Sequence, residues 1–318
     1  MYVRPMNLEK ISSRLLEYLR TELKNPDLNY RTAPTQIGQG FETFSYKFQL
    51  ENARDELGKS LKLRLFPETI EKTAYKEGTI QNLLLENDFP VARAHIICEN
   101  KKQLGGEFTI SDFLPGKTLA EALPFEEEPE ALADIHVLLH QIDSSKIVEA
   151  LKLSTVSPEW YDGTIWSDTR GENIQWLQPA VRWIKENEPV IYRNVLCHGD
   201  FHSNNVLVES GRVSGVLDWS AAQIGEPERD VSSTMTVMMA YGPLFHSEKE
   251  SKWFTENYLE AYRRRMKVDQ EKLEYYEAVN CIGYLDAMET GGNQDTPPEV
   301  RKRLVDRFKE ISGVTLQP

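Results

Sequence analysis

The sequence predicts an α+β chain of two lobes, a small strand-rich N-terminal one and a larger, mainly helical C-terminal one. Three observations carry this. Alternating apolar residues (Phe44, Tyr46 and Phe48, then Leu61, Leu63 and Leu65) lie in the N-terminal third, as half-buried strands require. After Asp112-Phe113-Leu114-Pro115-Gly116 the apolar spacing changes to that of helices. The 318 residues also exceed what one core usually holds, since cores stop growing at about 250–300 residues. The division falls at the hinge-like segment, giving lobes of 1–115 and 116–318.

In order along the chain, Leu8, Ile11, Leu15, Leu19 and Leu23 recur at three- and four-residue steps and predict an opening amphipathic helix. Asn25-Pro26-Asp27 ends it, because the residue before a proline avoids the helical region. The strand through Leu61, Leu63 and Leu65 places Lys62 and Arg64 together on its other face. Pro67 closes that strand, and a helix through about Glu86 carries Glu77 near its middle. Two short strands are expected at Val91–Cys98 and Glu107–Ser111. A helix spans Ala131–Ile142, with Leu132, Ile135, Leu139 and Ile142 on one face. From Val231 onward several helices are broken at Gly242-Pro243, Gly291-Gly292 and Pro297-Pro298.

Charge and composition narrow the functional classes. Residues 1–115 carry 16 basic and 16 acidic side chains, and the remainder carries 21 and 34, so the whole net charge of −13 lies in the C-terminal two-thirds. Such a field repels nucleic acid and favours cationic partners. No stretch approaches the roughly 20 apolar residues of a membrane helix, and the N-terminus has no secretory apolar core. Three well-separated cysteines, Cys98, Cys197 and Cys281, read as reduced thiols in a cytoplasmic protein.

The chemistry concentrates in Cys197-His198-Gly199-Asp200-Phe201-His202-Ser203-Asn204-Asn205-Val206-Leu207-Val208, which runs on through a hairpin-like turn to Leu217-Asp218-Trp219. Asp200, Asn205 and Asp218 stand between two apolar runs. Phosphoryl transfer needs this set: a carboxylate to position and deprotonate a hydroxyl, and an amide oxygen plus a second carboxylate to hold Mg²⁺ on phosphates. Oxygen-only ligands suit Mg²⁺.

This segment resembles the catalytic core of the aminoglycoside phosphotransferase and choline kinase-like family, with its His-Gly-Asp-x-x-x-x-Asn and Ile/Leu-Asp-Trp/Phe. Gly225-Glu226-Pro227-Glu228-Arg229-Asp230 is similar to the family's Gly-Asp-Pro-x-x-Asp-Leu, and the likeness covers about residues 35–240. It implies a bilobal protein-kinase-like fold and an ATP- or GTP-dependent kinase of a small hydroxylated molecule. Acceptors in the family include aminoglycosides, macrolides, choline, homoserine and sugar derivatives. Asp200 is then the base, Asn205 and Asp218 hold Mg²⁺, His198 braces the loop, and Asp230 caps the next helix and bonds the loop. Gly38 and Gly40 would let backbone approach phosphates, although Thr43 stands where protein kinases place a third glycine. Arg64 matches the phosphate-binding cation, with Lys62 a competitor on the same face and Glu77 its helix partner. Asp112 and Phe113 meet the base through their backbone.

Other readings stay beside this one. A nucleotide-binding pseudokinase acting as an interaction module is the alternative, opposed by the intact Asp200, Asn205 and Asp218. The reading as a protein kinase lacks support, since this chain has no Ala-Pro-Glu segment or evident activation loop after Asp218 and Trp219 replaces Phe-Gly. His136 and His140 stand four apart, as metal ligands can, but read as packing for want of a third ligand. The tryptophans of 155–192 could form an aromatic cage for an amine or simply fill a core. The acidic C-terminal part points to a cationic acceptor. It is expected between that segment and the helices bearing Glu271, Glu274, Glu277, Asp286 and Glu289, with Tyr275 and Tyr276 among them.

Overall fold

The side chain of Asn7 accepts a hydrogen bond from the backbone N–H of Glu9 and so starts α1, Leu8–Glu22. In this computed structural model residues 7–39, 43–66, 72–154, 171–190, 193–290 and 296–317 are described. Next come β1 (Asn29–Gln39), β2 (Phe44–Glu51), β3 (Ser60–Leu65), α2 (Thr73–Leu85), β4 (Ala94–Cys98) and β5 (Phe108–Asp112). Beyond Gly116 the chain forms β6 (Lys117–Thr118), α3 (Leu119–Ala122), α4 (Glu128–His140), α5 (Ser145–Lys152), α6 (Gln178–Glu186) and β7 (Val195–Cys197). Then follow β8 (Val206–Glu209), β9 (Arg212–Val216) and β10 (Gln223–Gly225). The helices α7 (Pro227–Ala240), α8 (Glu248–Arg263), α9 (Gln270–Thr290) and α10 (Pro298–Ser312) complete it.

The chain packs as two compact units. The first takes Met1–Gly116, Leu153–Val156 and Leu207–Ser220; the second takes Lys117–Lys152, Ser157–Val206 and Ala221–Pro318. In the first, an antiparallel sheet runs in the order β1-β2-β3-β5-β4. Ile11, Leu15 and Leu19 of α1 pack into one core with Phe48, Leu63 and Phe108. The opening helix and the strands at Phe44–Phe48 and Leu61–Leu65 thus form where their periodicities place them. The strand expected at Val91–Cys98 begins only at Ala94.

The long β1 has no counterpart in the sequence reading. Its residues, Asn-Tyr-Arg-Thr-Ala-Pro-Thr-Gln-Ile-Gly-Gln, do not alternate, and it pairs with β2 through three register irregularities. It is an edge strand, where Pro34 deprives no inner neighbour of a hydrogen bond.

The β8–β9 hairpin also belongs to the first unit from Leu207 onward. Ser210 (φ 52°) and Gly211 (φ 75°) both adopt positive φ at its two-residue turn, the conformation that matches the twist of paired strands. Val216 N donates to Pro90 O at 2.8 Å, so Asp218 emerges from a fixed strand end.

In the second unit β7 pairs antiparallel with β10, and the helices surround a core containing Leu177, Cys281, Leu285, Leu304 and Phe308. The three cysteines are free and buried. Of the four tryptophans in 155–192, Trp160 and Trp166 lie outside the described residues. Trp183 packs against Tyr275 and Phe308 with centroids 6.2 and 5.8 Å away, and Trp176 faces Arg301. Both are half-buried and pack against the core of the second unit. Among the described residues no helix is long and apolar enough to cross a membrane.

Leu63 lies at the centre of the first unit's sheet with no exposed surface. Leu63→Ala is expected to cost about 2–5 kcal/mol, read from the urea midpoint, with the unfolding slope unchanged.

Candidate active site

The catalytic loop leaves β7 at Cys197 and ends in a single 3₁₀ turn, Ser203–Asn205. Gly199 takes φ 80°, and a Cβ there would stand 2.5 Å from Ala221 O, so no other residue fits without moving backbone. His198 has no exposed surface, and its Nδ1 accepts from Asp200 N at 3.2 Å. Asn205 Nδ2 donates to Asp200 O at 2.8 Å and lies 3.2 Å from both Asp200 Oδ2 and His202 Nε2. Its amide nitrogen is thereby turned into the loop, and no described residue donates to its Oδ1. The Asp200 side chain is 42% exposed.

Helix α7 holds this loop. The Asp230 carboxylate, fully buried, accepts from His198 N at 2.5 Å and Gly199 N at 2.8 Å. Ser233 Oγ donates to Gly199 O and Thr234 Oγ1 to Phe201 O. The N-cap of α7 is Glu226. Asp230 therefore bonds the loop as expected but does not cap the helix, because its carboxylate is taken by loop amides one turn further in.

His136 and His140 explain how that carboxylate stays charged. Their Nε2 atoms lie 2.9 and 3.2 Å from Asp230 Oδ2, and their Nδ1 atoms lie 2.6 and 2.7 Å from the hydroxyls of Tyr258 and Tyr262. Burial would raise the Asp230 carboxyl, but His136 and His140 hold it well below the usual carboxylate range. Burial first, and His140 second, push the His136 imidazole down to about 4. Their ligand-type atoms lie within 4.8 Å of one another, a spacing that suits a metal. Each ring nitrogen already has a hydrogen-bond partner, however, so no lone pair remains for an ion. Tyr258 and Tyr262 went unread in the sequence. Their four-residue spacing on α8, matching that of the histidines on α4, is the signal that could have found them.

In the first unit a cavity of about 180 Å³ is lined by Lys62, Arg64, Glu77, Asp112, Phe113 and Asp218, among others. Arg64 is 4% exposed; its Nη1 lies 3.2 Å from Glu77 Oε1 and its Nη2 2.5 Å from Asp218 Oδ1. Burial pushes the Glu77 carboxyl up, with Arg64 opposing. Arg64 Nε and Glu77 Oε2 are buried without a partner among the described residues. Asp218 sits at φ 63° and accepts from Ser220 Oγ at 2.7 Å. The Asp112 carboxylate is turned to His95 Nε2 at 2.8 Å, and Phe113 lies under Lys47 Nζ. Gly38 pairs with Ser45 at the end of β1, and Gly40 lies outside the described residues.

The acidic residues of α9 are not one solvated face: Glu271 and Glu289 are exposed, and others are taken up by internal partners. Glu277 is buried and grips Arg307 through both oxygens, at 2.7 and 2.8 Å. Asp286 accepts from Gly171 N at 2.9 Å, and Glu274 from Gln270. Tyr275 and Tyr276 are core residues. Helical three-residue steps cannot distinguish a solvated face from one covered by α10.

Known proteins resemble this chain in sequence and in fold. Residues 34–268 match the model of the phosphotransferase enzyme family. Hygromycin-B 4-O-kinase of Escherichia coli is 23% identical over 283 residues, which is 78% of this chain and 80% of the kinase. A thermostable mutant aminoglycoside phosphotransferase, solved as a ternary complex with AMP-PNP and hygromycin B, superposes with a TM-score of 0.63 at 18% identity. The match spans 95% of this chain and all of that one. Amicoumacin kinase in complex with AMP-PNP, Ca²⁺ and Ami gives 0.62 at 17% identity, over 98% and 97% of the two chains.

The neutral, buried His136 makes stability fall with acid. An unfolded chain takes up the proton near pH 6.5, but the folded one resists until about 4. Stability should therefore decline between those values, and further below the ordinary carboxylate pKa of about 3.9 as Asp230 is forced to protonate. Urea midpoints at pH 7, 5.5 and 4.5 measure the decline, and His136→Asn should flatten it.

Proposed function

The chain belongs to the phosphotransferase enzyme family, and within it we propose a kinase that moves the γ-phosphate of a purine nucleotide, ATP or GTP, onto a small molecule's hydroxyl. One contrast carries this reading. Asp230 is buried and receives hydrogen bonds from the loop and from two histidines. Asp200, on the loop those bonds support, has a side chain 42% exposed. The fold thus fixes one aspartate in order to present another.

In this mechanism Asp200 accepts the proton of the attacking hydroxyl, oriented by Asn205, while His198 keeps the Asp200 backbone in place. Asn205 Oδ1 on the loop, and the Asp218 carboxylate in the first unit, are each hard oxygen donors of the kind that would hold Mg²⁺. When bound, the ion neutralises charge on the phosphates. Arg64, steadied by Glu77, lies in the cavity assigned to the nucleotide. The atoms Arg64 Nε and Glu77 Oε2, unmet among the described residues, leave hydrogen-bonding capacity there for ligand or water.

The acceptor is read as a hydroxylated molecule bearing an amine. The 34 acidic against 21 basic residues beyond position 115 support this, as does the hygromycin-B kinase among the relatives. Glu277 and Asp286 already have internal partners, so the reading rests on the other acidic residues. Mg²⁺-dependent turnover against amino-sugars, macrolides and amino alcohols tests the reading. If none of them accelerates nucleotide consumption above the Asp200→Asn background, the kinase assignment fails.

Asp200→Asn should lower kcat by at least about 10²-fold, the scale of a lost general base, with nucleotide KM little changed. Asp218→Ala should abolish the tightening of nucleotide binding by Mg²⁺, measured by calorimetry with and without the ion.

A further inference from the structure

The first unit's cavity holds a second cation whose surroundings differ from those of Arg64. Lys62 and Arg64 both line it. Arg64 is engaged by Glu77 and Asp218. Lys62 makes no hydrogen bond and no ion pair with any described residue. Burial first, and Arg64 second, push its ammonium pKa down. In the β2–β3 register it stands directly opposite Lys47, a like-charge pair that opposes pairing. Lys47 itself lies over the Phe113 ring at 3.9 Å. Glu77 and Asp218 attract Lys62 only at a distance and neither bonds it, so its hydrogen-bonding partner belongs on a ligand.

Its position along β3 identifies which part of the ligand. Arg64 pairs with Thr109, whereas Lys62 pairs with Ser111 and its neighbour Leu61 with Asp112. Lys62 is therefore two strand residues, about 7 Å, nearer than Arg64 to the Asp112–Leu114 segment. The cavity also has apolar lining, Ile37, Ala92, Leu114, Leu207 and Leu217, which suits a flat base rather than a phosphate chain. Given the nucleotide reading proposed above, on which this step rests, Lys62 stands at the base. An ammonium only donates. One edge of guanine presents two acceptors, O6 and N7, whereas the same edge of adenine presents N7 beside an amino donor.

We infer that Lys62 reads the nucleobase and that the cavity prefers a 6-oxopurine nucleotide to a 6-aminopurine one. The test is direct titration of the full chain with GDP, IDP and ADP. IDP keeps O6 and N7 but lacks the 2-amino group, so it isolates the edge that Lys62 is proposed to read. GDP and IDP should bind alike and ADP about tenfold more weakly, within the discrimination that one good base contact supplies. Lys62→Met should bring the three affinities to within about twofold of one another, and Lys62→Arg should keep the preference.

Wild-type binding of ADP as tight as that of GDP overturns the inference, and that comparison needs no variant to fold. An equal loss for all three nucleotides in Lys62→Met also overturns it, making Lys62 a phosphate contact. If none of the three binds, the nucleotide reading itself falls and takes this inference with it. Binding without discrimination removes only the role of Lys62.

Discussion

A single buried carboxylate supports the catalytic loop. Asp230 has no exposed surface and receives hydrogen bonds from two successive loop amides and two imidazoles. A charge so placed is costly unless its lone pairs are met. Here the donors come from α4 and the loop, and α8 supplies tyrosine hydroxyls that fix the histidine tautomers. Three segments of the second unit are thus held to one group, and the loop's shape follows from it. The positive φ of Gly199 lets its amide reach the carboxylate while the next residue, Asp200, stays accessible.

A cation plays the corresponding part in the first unit. The guanidinium of Arg64 joins β3 to α2 through Glu77 and to the end of the β8–β9 hairpin through Asp218. Planar, bidentate donors make arginine apt for such bridging. A lysine there would give one point charge to two acceptors. Lys62, two residues away on the same strand face, differs in how it meets the same carboxylates: Arg64 bonds Glu77 and Asp218 directly, whereas Lys62 feels them only at a distance.

Acidity beyond position 115 proves to be heterogeneous. Glu277 neutralises Arg307, Glu226 pairs with Lys272, and Asp286 accepts a backbone amide. A part of what reads as a negative field is thus neutralised or hydrogen-bonded within the fold. Net charge therefore describes long-range attraction better than it identifies the residues touching a ligand.

Local patterns were legible. The loop from His198 to Asn205, the hairpin to Asp218, the cationic face of β3 and the period of α1 follow from spacing along the chain, because strand and helix geometry bind neighbours within a few residues. The irregular β1 escaped because bulges and Pro34 break its alternation. What the sequence by itself determined was the set of polar groups carried by the His198–Asn205 loop, the hairpin end and β3, and the elements that bear them. Only the tertiary structure decided which charges are already partnered: His136 meets Tyr258 across 122 residues and Glu277 meets Arg307 across 30. The partner of a buried charge is chosen by packing between distant segments, and no local periodicity encodes that choice.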